Sequence, residues 1–156
     1  MAEVKKHQIL VTVVTPYHNF FEGKADSISL PTQDGSIGVM SGHMPIVFAL
    51  FPGTCSFNIN GEKRYCVITE GYAEISQHMA LIVCNSAEWV EDIDVKRAFN
   101  SIVENEEILR DPTIHDFREL ACKDNINRAK ARLHLVESHG TEEQKRILEQ
   151  LKTKED

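Results

Sequence analysis

Short runs of β-branched and aromatic residues, each ended by Gly or Pro, fill the first half of the chain. QILVTVVTP is β-branched, stops at Pro16 and reads as an opening strand. FFEGKADSISLP follows, then a loop at TQDGSIG, then PIVFALFPG. TCSFNI and EKRYCVI flank Asn60-Gly61, a dipeptide that accepts positive φ at both positions and predicts a two-residue type I′ hairpin. YAEIS and ALIVCN add two strands around Gln77-His78. Many short strands with regular turns predict a β-sandwich or barrel over about residues 7–86.

Beyond Glu91 the apolar spacing lengthens. Val95, Ala98, Phe99, Ile102, Val103 and Leu109 recur at helical intervals, with Asp92 or Asp94 available as N-cap. Arg110-Asp111-Pro112 stops that helix. Thr113 with Asp116 reads as a capping box for a second helix, whose apolar face takes in Ile114, Phe117, Ala121, Ile126, Ala129, Leu133 and Val136 before Gly140 closes it. Two amphipathic helices joined by so short a turn should pack as an antiparallel hairpin. A further capping pattern, Thr141 to Gln144, opens a charged tail whose only apolar edge is Ile147, Leu148 and Leu151, so a short, loosely held helix is expected there. The expected organisation is thus a β-sandwich domain over 1–90, a helical hairpin over 91–140 and a tail over 141–156.

Charge sharpens the contrast. The chain has 156 residues, 42% of them apolar, and a formal charge of −7, with most of its charged residues after Val90. An acidic chain is a poor phosphate-backbone binder, so no nucleic-acid partner is expected. No apolar run approaches the roughly 20 residues that span a bilayer, and MAEVKKHQILVTVV lacks the apolar core of a signal peptide. These features predict an intracellular chain that is soluble by itself. Cys55, Cys66, Cys84 and Cys122 stand singly in apolar stretches and are expected to be buried, reduced thiols.

Candidate chemistry is sparse. Ser41 and His43 in GVMSGHMP do not make the nucleophile-elbow spacing, and the seven histidines show no metal-ligand pattern, so no catalytic or metal residue is assigned. Asp34-Gly35 with Gly38 lacks the lysine of a phosphate loop and reads as a turn. One constellation remains. Arg128 and Arg132 lie four apart, hence on one helix face, and in a hairpin they would approach Asp94 and Arg97 at the start of the first helix. There two guanidiniums could fork onto phosphate oxygens, or instead pair with surface carboxylates such as Asp124.

The stretch TPYHNFFEGKADSISLPTQDGSIGVMSGHMPIVFALFPG, with ITEGYAEIS and IVCNSAEWVEDIDVKRA, resembles the epsilon subunit of bacterial F-type ATP synthases. The resemblance runs from about Ile9 to Val136; its most specific pieces are DGSIGVMSGHMP, GYAEIS and IDVKRA at the strand-to-helix switch. It implies an N-terminal antiparallel β-sandwich followed by a C-terminal antiparallel two-helix hairpin. It also implies a non-catalytic rotor subunit, peripheral on the cytoplasmic face of the bacterial cell membrane, that links gamma to the c ring and couples proton transport to ATP synthesis. The helices are implied to extend toward the alpha and beta subunits and to inhibit ATP hydrolysis. Asp34, Gly35, Met40, His43 and Met44 are the implied rotor contact.

No cofactor is required by the resemblance, but ATP is implied as a regulatory ligand. IDVKRA matches the family's nucleotide motif through Ile93, Asp94, Arg97 and Ala98; Arg128 and Arg132 match the second-helix pair, and Glu88 matches an acidic position that helps hold the base. One departure stands out. Where strong ATP binders carry a basic residue two turns beyond the motif this chain has Glu104, which implies weaker or absent binding. The alternative from a different class is a small-molecule-binding β-sandwich module with an interaction hairpin, outside any rotary complex.

Overall fold

The computed structural model of the chain describes residues 7–155, so the expected domain start at residue 1 and tail end at 156 lie outside the described residues. Two compact units divide the chain, Met1–Ala87 and Glu88–Asp156. The first is built from β1 (Ile9–Val14), β2 (Asn19–Ala25), β3 (Ser27–Thr32), β4 (Gly35–Met40), β5 (Ile46–Leu50), β6 (Gly53–Ile59), β7 (Glu62–Ile68), β8 (Gly71–Ile75) and β9 (Met79–Cys84). In β10 (Ala87–Trp89) the chain passes from one unit to the other. One sheet has the order β2-β1-β9-β8-β5 and the other β10-β7-β6-β3-β4.

Alternation explains the sandwich. Along β1 the inward Ile9, Val11 and Val13 are buried while Leu10, Thr12 and Val14 are half-buried. Leu30, Phe57, Ile68, Ile75 and Ile82 complete the core from both sheets, and Phe21 stacks on Phe57 with ring centroids 4.8 Å apart. Each such Val, Leu, Ile or Phe contributes about 1.5–3 kcal/mol by leaving water. Asn60 (φ 52) and Gly61 (φ 86) form the expected type I′ turn, with Ile59 opposite Glu62. Gly71 is required by space: a Cβ there would lie 1.9 Å from the Val83 carbonyl oxygen of the adjoining strand.

Two features depart from expectation. The loop expected at TQDGSIG shrinks to Gln33-Asp34, because Gly35 already pairs with Thr32 and Ser36 to Gly38 continue as β4. The Thr32 hydroxyl donates to the Gly35 carbonyl at 2.7 Å and clasps this turn. The sandwich is also not wholly antiparallel, for β1 runs parallel to β9, with Val11 beside Ala80 and Val13 beside Ile82.

The second unit holds the 3-10 turn Val90–Asp92, then α1 (Val95–Leu109), α2 (Asp116–His139) and α3 (Glu142–Glu155). Cys122, Ile126, Ala129, Leu133 and Val136 form the buried stripe of α2. Phe117 and Ala121, expected on that stripe, are exposed, Phe117 at 85%, because they fall on another side of the helix. Val103 of α1 is exposed too. The capping box expected at Thr113 does not form. The Asp111 carboxylate takes both the N–H and the hydroxyl of Thr113, at 2.9 and 2.7 Å, and His115 becomes the N-cap without a side-chain bond. At Thr141 the box does form: the Gln144 Oε1 accepts the Thr141 N–H at 2.9 Å while the Gln144 N–H reaches the Thr141 hydroxyl at 3.2 Å. The charged tail is accordingly helical, with Gln144 and Leu148 buried.

Candidate functional site

The start of α1 explains why Asp94 and Arg97 stand three apart. Asp94 has extended backbone and is the N-cap; its Oδ1 accepts the Arg97 N–H at 3.1 Å, closing one of the donors a helix leaves open at its first turn. The backbone of Arg97 is thereby fixed, and its side chain shares a pocket with the Asp94 carboxylate. Ile93, the residue before the cap, is buried and does not line that pocket.

Across from it α2 supplies Arg128 and Arg132, one turn apart. The Arg132 Nε donates to the Glu88 Oε2 at 2.9 Å, and the Arg132 guanidinium also reaches the Arg128 carbonyl at 3.3 Å. Arg128 donates to the Asn125 side-chain oxygen at 3.2 Å. From there Asn125 donates to Asn105 at 3.3 Å, and Asn105 to the Ser101 carbonyl at 2.6 Å, so a polar chain of amides ties α2 to α1 along one edge of the pocket. Ala98 and Ala129, both buried and without bulk, form its floor.

The resulting cavity has a volume of about 250 Å³. A second, shallower depression shares Asp94, Arg97 and Ser101 with it and continues along α1 to Lys96, Asn100 and Glu104. Of the residues singled out in the sequence, Glu88, Asp94, Arg97, Ala98, Arg128 and Arg132 are thus brought together. Ser101, Asn105 and Asn125 were missed, although Ser101 follows Asp94 by seven residues and Asn125 precedes Arg132 by seven, the two-turn repeat of a single helix face. Three guanidiniums against two carboxylates suit an anionic ligand with polar groups at its other end.

The other residue set lies in the first unit. Asp34 stands in the β3–β4 turn, Gly35 (φ 121) opens β4, and Met40 ends it on the exposed side. His43 is half-buried and its Nδ1 lies 2.7 Å from the Met44 carbonyl, while Met44 is 80% exposed. The bonded partner of the imidazole Nδ1 is therefore a neighbouring carbonyl.

Comparison with known proteins fixes the family. Residues 8–90 match the family described as ATP synthase, Delta/Epsilon chain, beta-sandwich domain. An ATP synthase epsilon chain of Ruminiclostridium cellulolyticum is 34% identical over 121 residues, which are 78% of this chain and 90% of that one. The chain belongs to the ATP synthase epsilon chain family. Another epsilon chain, of Caldanaerobacter subterraneus, is 30% identical over 81% of this chain and 92% of its own length. Among solved structures, a chain of the Euglena gracilis mitochondrial ATP synthase OSCP/F1/c-ring assembly has the same fold, with a TM-score of 0.74 at 20% identity over 83% of this chain and 82% of that one. The matched stretch covers the β-strands of the sandwich, and IDVKRA lies just beyond it.

Proposed function

We propose that this epsilon chain is a non-catalytic central-stalk subunit of an F-type ATP synthase, held on gamma and the c ring by its sandwich. In this reading it is peripheral on the cytoplasmic face of the bacterial cell membrane; no helix among the described residues is long and apolar enough to cross one. It couples proton transport to ATP synthesis, and its helical unit, on extending toward alpha and beta, limits ATP hydrolysis.

The observation that carries the reading is an exposed apolar edge. Met40 at the end of β4, Met44 in the turn, and Ile46 and Val47 at the start of β5 all face solvent, and β4 and β5 are each the outer strand of their sheet. A connected run of exposed large apolar side chains marks a protein-docking surface. A small-molecule module would instead need its apolar lining inside a concavity. A pull-down from the native membrane tests the reading: recovery of gamma and c with this chain is expected, and their absence would overturn it.

The helical pocket supports ATP as a regulatory ligand. Arg97 and Arg128 with Arg132 would face phosphate oxygens, and Asp94 and Glu88 would accept from the base or ribose. The cavity is smaller than the roughly 300–1000 Å³ of typical ligand pockets, so part of ATP would lie along the adjoining depression, toward Lys96 and Glu104. The Glu104 carboxylate there repels phosphate and weakens binding. Calorimetry with ATP on the full chain tests this, and an absence of heat at millimolar ATP would remove the ligand from the reading.

A further inference from the structure

The residues that bring Glu88 and Asp94 to the pocket include one short turn with weak hydrogen bonding of its own. Val90–Asp92 is a single 3-10 turn; its N-cap, Trp89, makes no side-chain capping bond, and Ile93 closes it with one N–H to the Val90 carbonyl at 3.3 Å. Turns of this kind have poorer hydrogen-bond geometry than α-helix and persist only when something else holds them.

One holding group comes from α3. Gln144 is only 8% exposed, and its side-chain Nε2 donates to the carbonyls of both Val90, at 2.8 Å, and Ile93, at 3.1 Å. Its Oε1 accepts the Thr141 N–H. Both donors and the acceptor of the amide are therefore used, in a place where an unpaired polar group would be costly. Leu148, one turn further along α3, is buried as well and anchors the helix beside this contact. A carboxylate at 144 would keep the cap but repel both carbonyls, and an apolar residue would lose all three bonds. Of common side chains only an amide at this reach satisfies cap and carbonyls together.

We propose that Gln144 is a positioning residue for the helical pocket: it ties α3 to the Val90 and Ile93 carbonyls and so holds residues 88–94 where Glu88 meets Arg132 and Asp94 caps α1. For its ligand the proposal rests on the nucleotide reading above. Because α3 and the ligand favour the same arrangement, each strengthens the other's binding by one shared factor.

The test is amide hydrogen exchange on the full chain, with and without ATP, together with ATP calorimetry. In Gln144→Glu, the Ile93 and Arg97 amides are expected to exchange at least about fivefold faster, the factor set by losing one buried hydrogen bond, while Ile126 to Val136 keep their protection. Thr141→Ala, which removes the hydroxyl half of the cap but leaves the Gln144 amide and its bonds in place, should have a smaller effect at Ile93. ATP affinity in Gln144→Glu should fall by a similar factor, and ATP should slow exchange in α3 of the unsubstituted chain. If a buried carboxylate costs α2 its protection, Gln144→Met, of similar volume, takes its place. Unchanged exchange at Ile93 and Arg97 would overturn the proposal, as would faster exchange with unchanged ATP affinity. If the unsubstituted chain gives no heat with ATP, the nucleotide reading fails. Exchange then decides alone: acceleration confined to residues 90–98 keeps Gln144 as the residue that positions this segment, and none removes it.

Discussion

Arg132 and Glu88, 44 residues apart in sequence, are joined by an Nε to Oε2 bond of 2.9 Å, with both side chains partly screened from solvent. This pair connects the end of the last strand to the middle of α2 and draws one pocket guanidinium toward a carboxylate. Partly exposed pairs of this kind are worth about 0.2–1 kcal/mol. A double-mutant cycle of Glu88→Gln and Arg132→Met, read by urea unfolding, should return a coupling in that range. A coupling of zero would mean that the pair adds nothing to stability.

The same arginines set the nucleotide prediction. Arg128→Ala and Arg132→Ala should each weaken ATP binding by about 1.5–3 kcal/mol, the value of one charge-assisted hydrogen bond. Glu104→Arg should tighten it, since a repelling carboxylate becomes an attracting guanidinium beside the same depression. Equal calorimetric affinities in the unsubstituted chain and all three variants would place the ligand elsewhere.

The sandwich should fold without the helices. Residues 1–90 retain all ten strands found among the described residues and the buried core from Ile9 to Cys84. A cooperative thermal melt of this fragment is expected, and a broad non-cooperative one would show that the helices complete the core.

Substitution of His43 or Met44 by Asp should weaken assembly, and at Met44, which is 80% exposed, should alter the chain's own stability by no more than about 0.5 kcal/mol. Recovery of gamma in a pull-down and the melting temperature of the isolated chain are the two measurements. Full recovery with both variants would exclude this turn from the contact.

Deleting residues 92–156 should leave the subunit on gamma and raise ATP hydrolysis by the reconstituted complex. ATPase activity at matched subunit content checks it, and activity no higher than with the full chain would mean that these helices do not inhibit.

Cys84 supplies a pH dependence. Burial, and secondarily the neighbouring Cys66, push its thiol from the ordinary 9.0 up to about 12. A folded-state value above the unfolded one means that the unfolded chain loses its proton first as pH rises. The contribution of Cys84 to stability is therefore fully present below about pH 9 and lost between there and about pH 12. The difference in unfolding free energy between the unsubstituted chain and Cys84→Ala should shrink over this window, and a constant difference would contradict it.

Local chemistry explains which parts of this architecture could be read from sequence. Asn60-Gly61 and Thr141-x-x-Gln144 act through their own backbone, so the turn and the cap appear as written. Thr113-x-x-Asp116 has the same form as the second but fails, because Asp111 lies two residues upstream and its carboxylate captures Thr113 first. Phe117 misleads for another reason: helical spacing gives the period but not which of two adjacent stripes is buried, and the Cys122 to Val136 series wins. The pocket was legible as Asp94, Arg97, Arg128 and Arg132 because charges at turn spacing declare a face. Asn105, Asn125 and Gln144 were not, since neutral amides carry no pattern until a partner segment is in place.

The parallel pairing of β1 with β9 sets an order of events during synthesis. Val11 meets Ala80 and Val13 meets Ile82, so the middle of the first sheet cannot close until the ribosome has delivered residues 79–84. At roughly 5–20 residues per second that is a delay of several seconds. Meanwhile β3 and β4, and β6 and β7, join strands that follow one another directly and can pair as soon as they emerge. The opening strand with its row of Ile9, Val11 and Val13 therefore waits with one edge unpaired, and an unpaired strand edge is a template for aggregation.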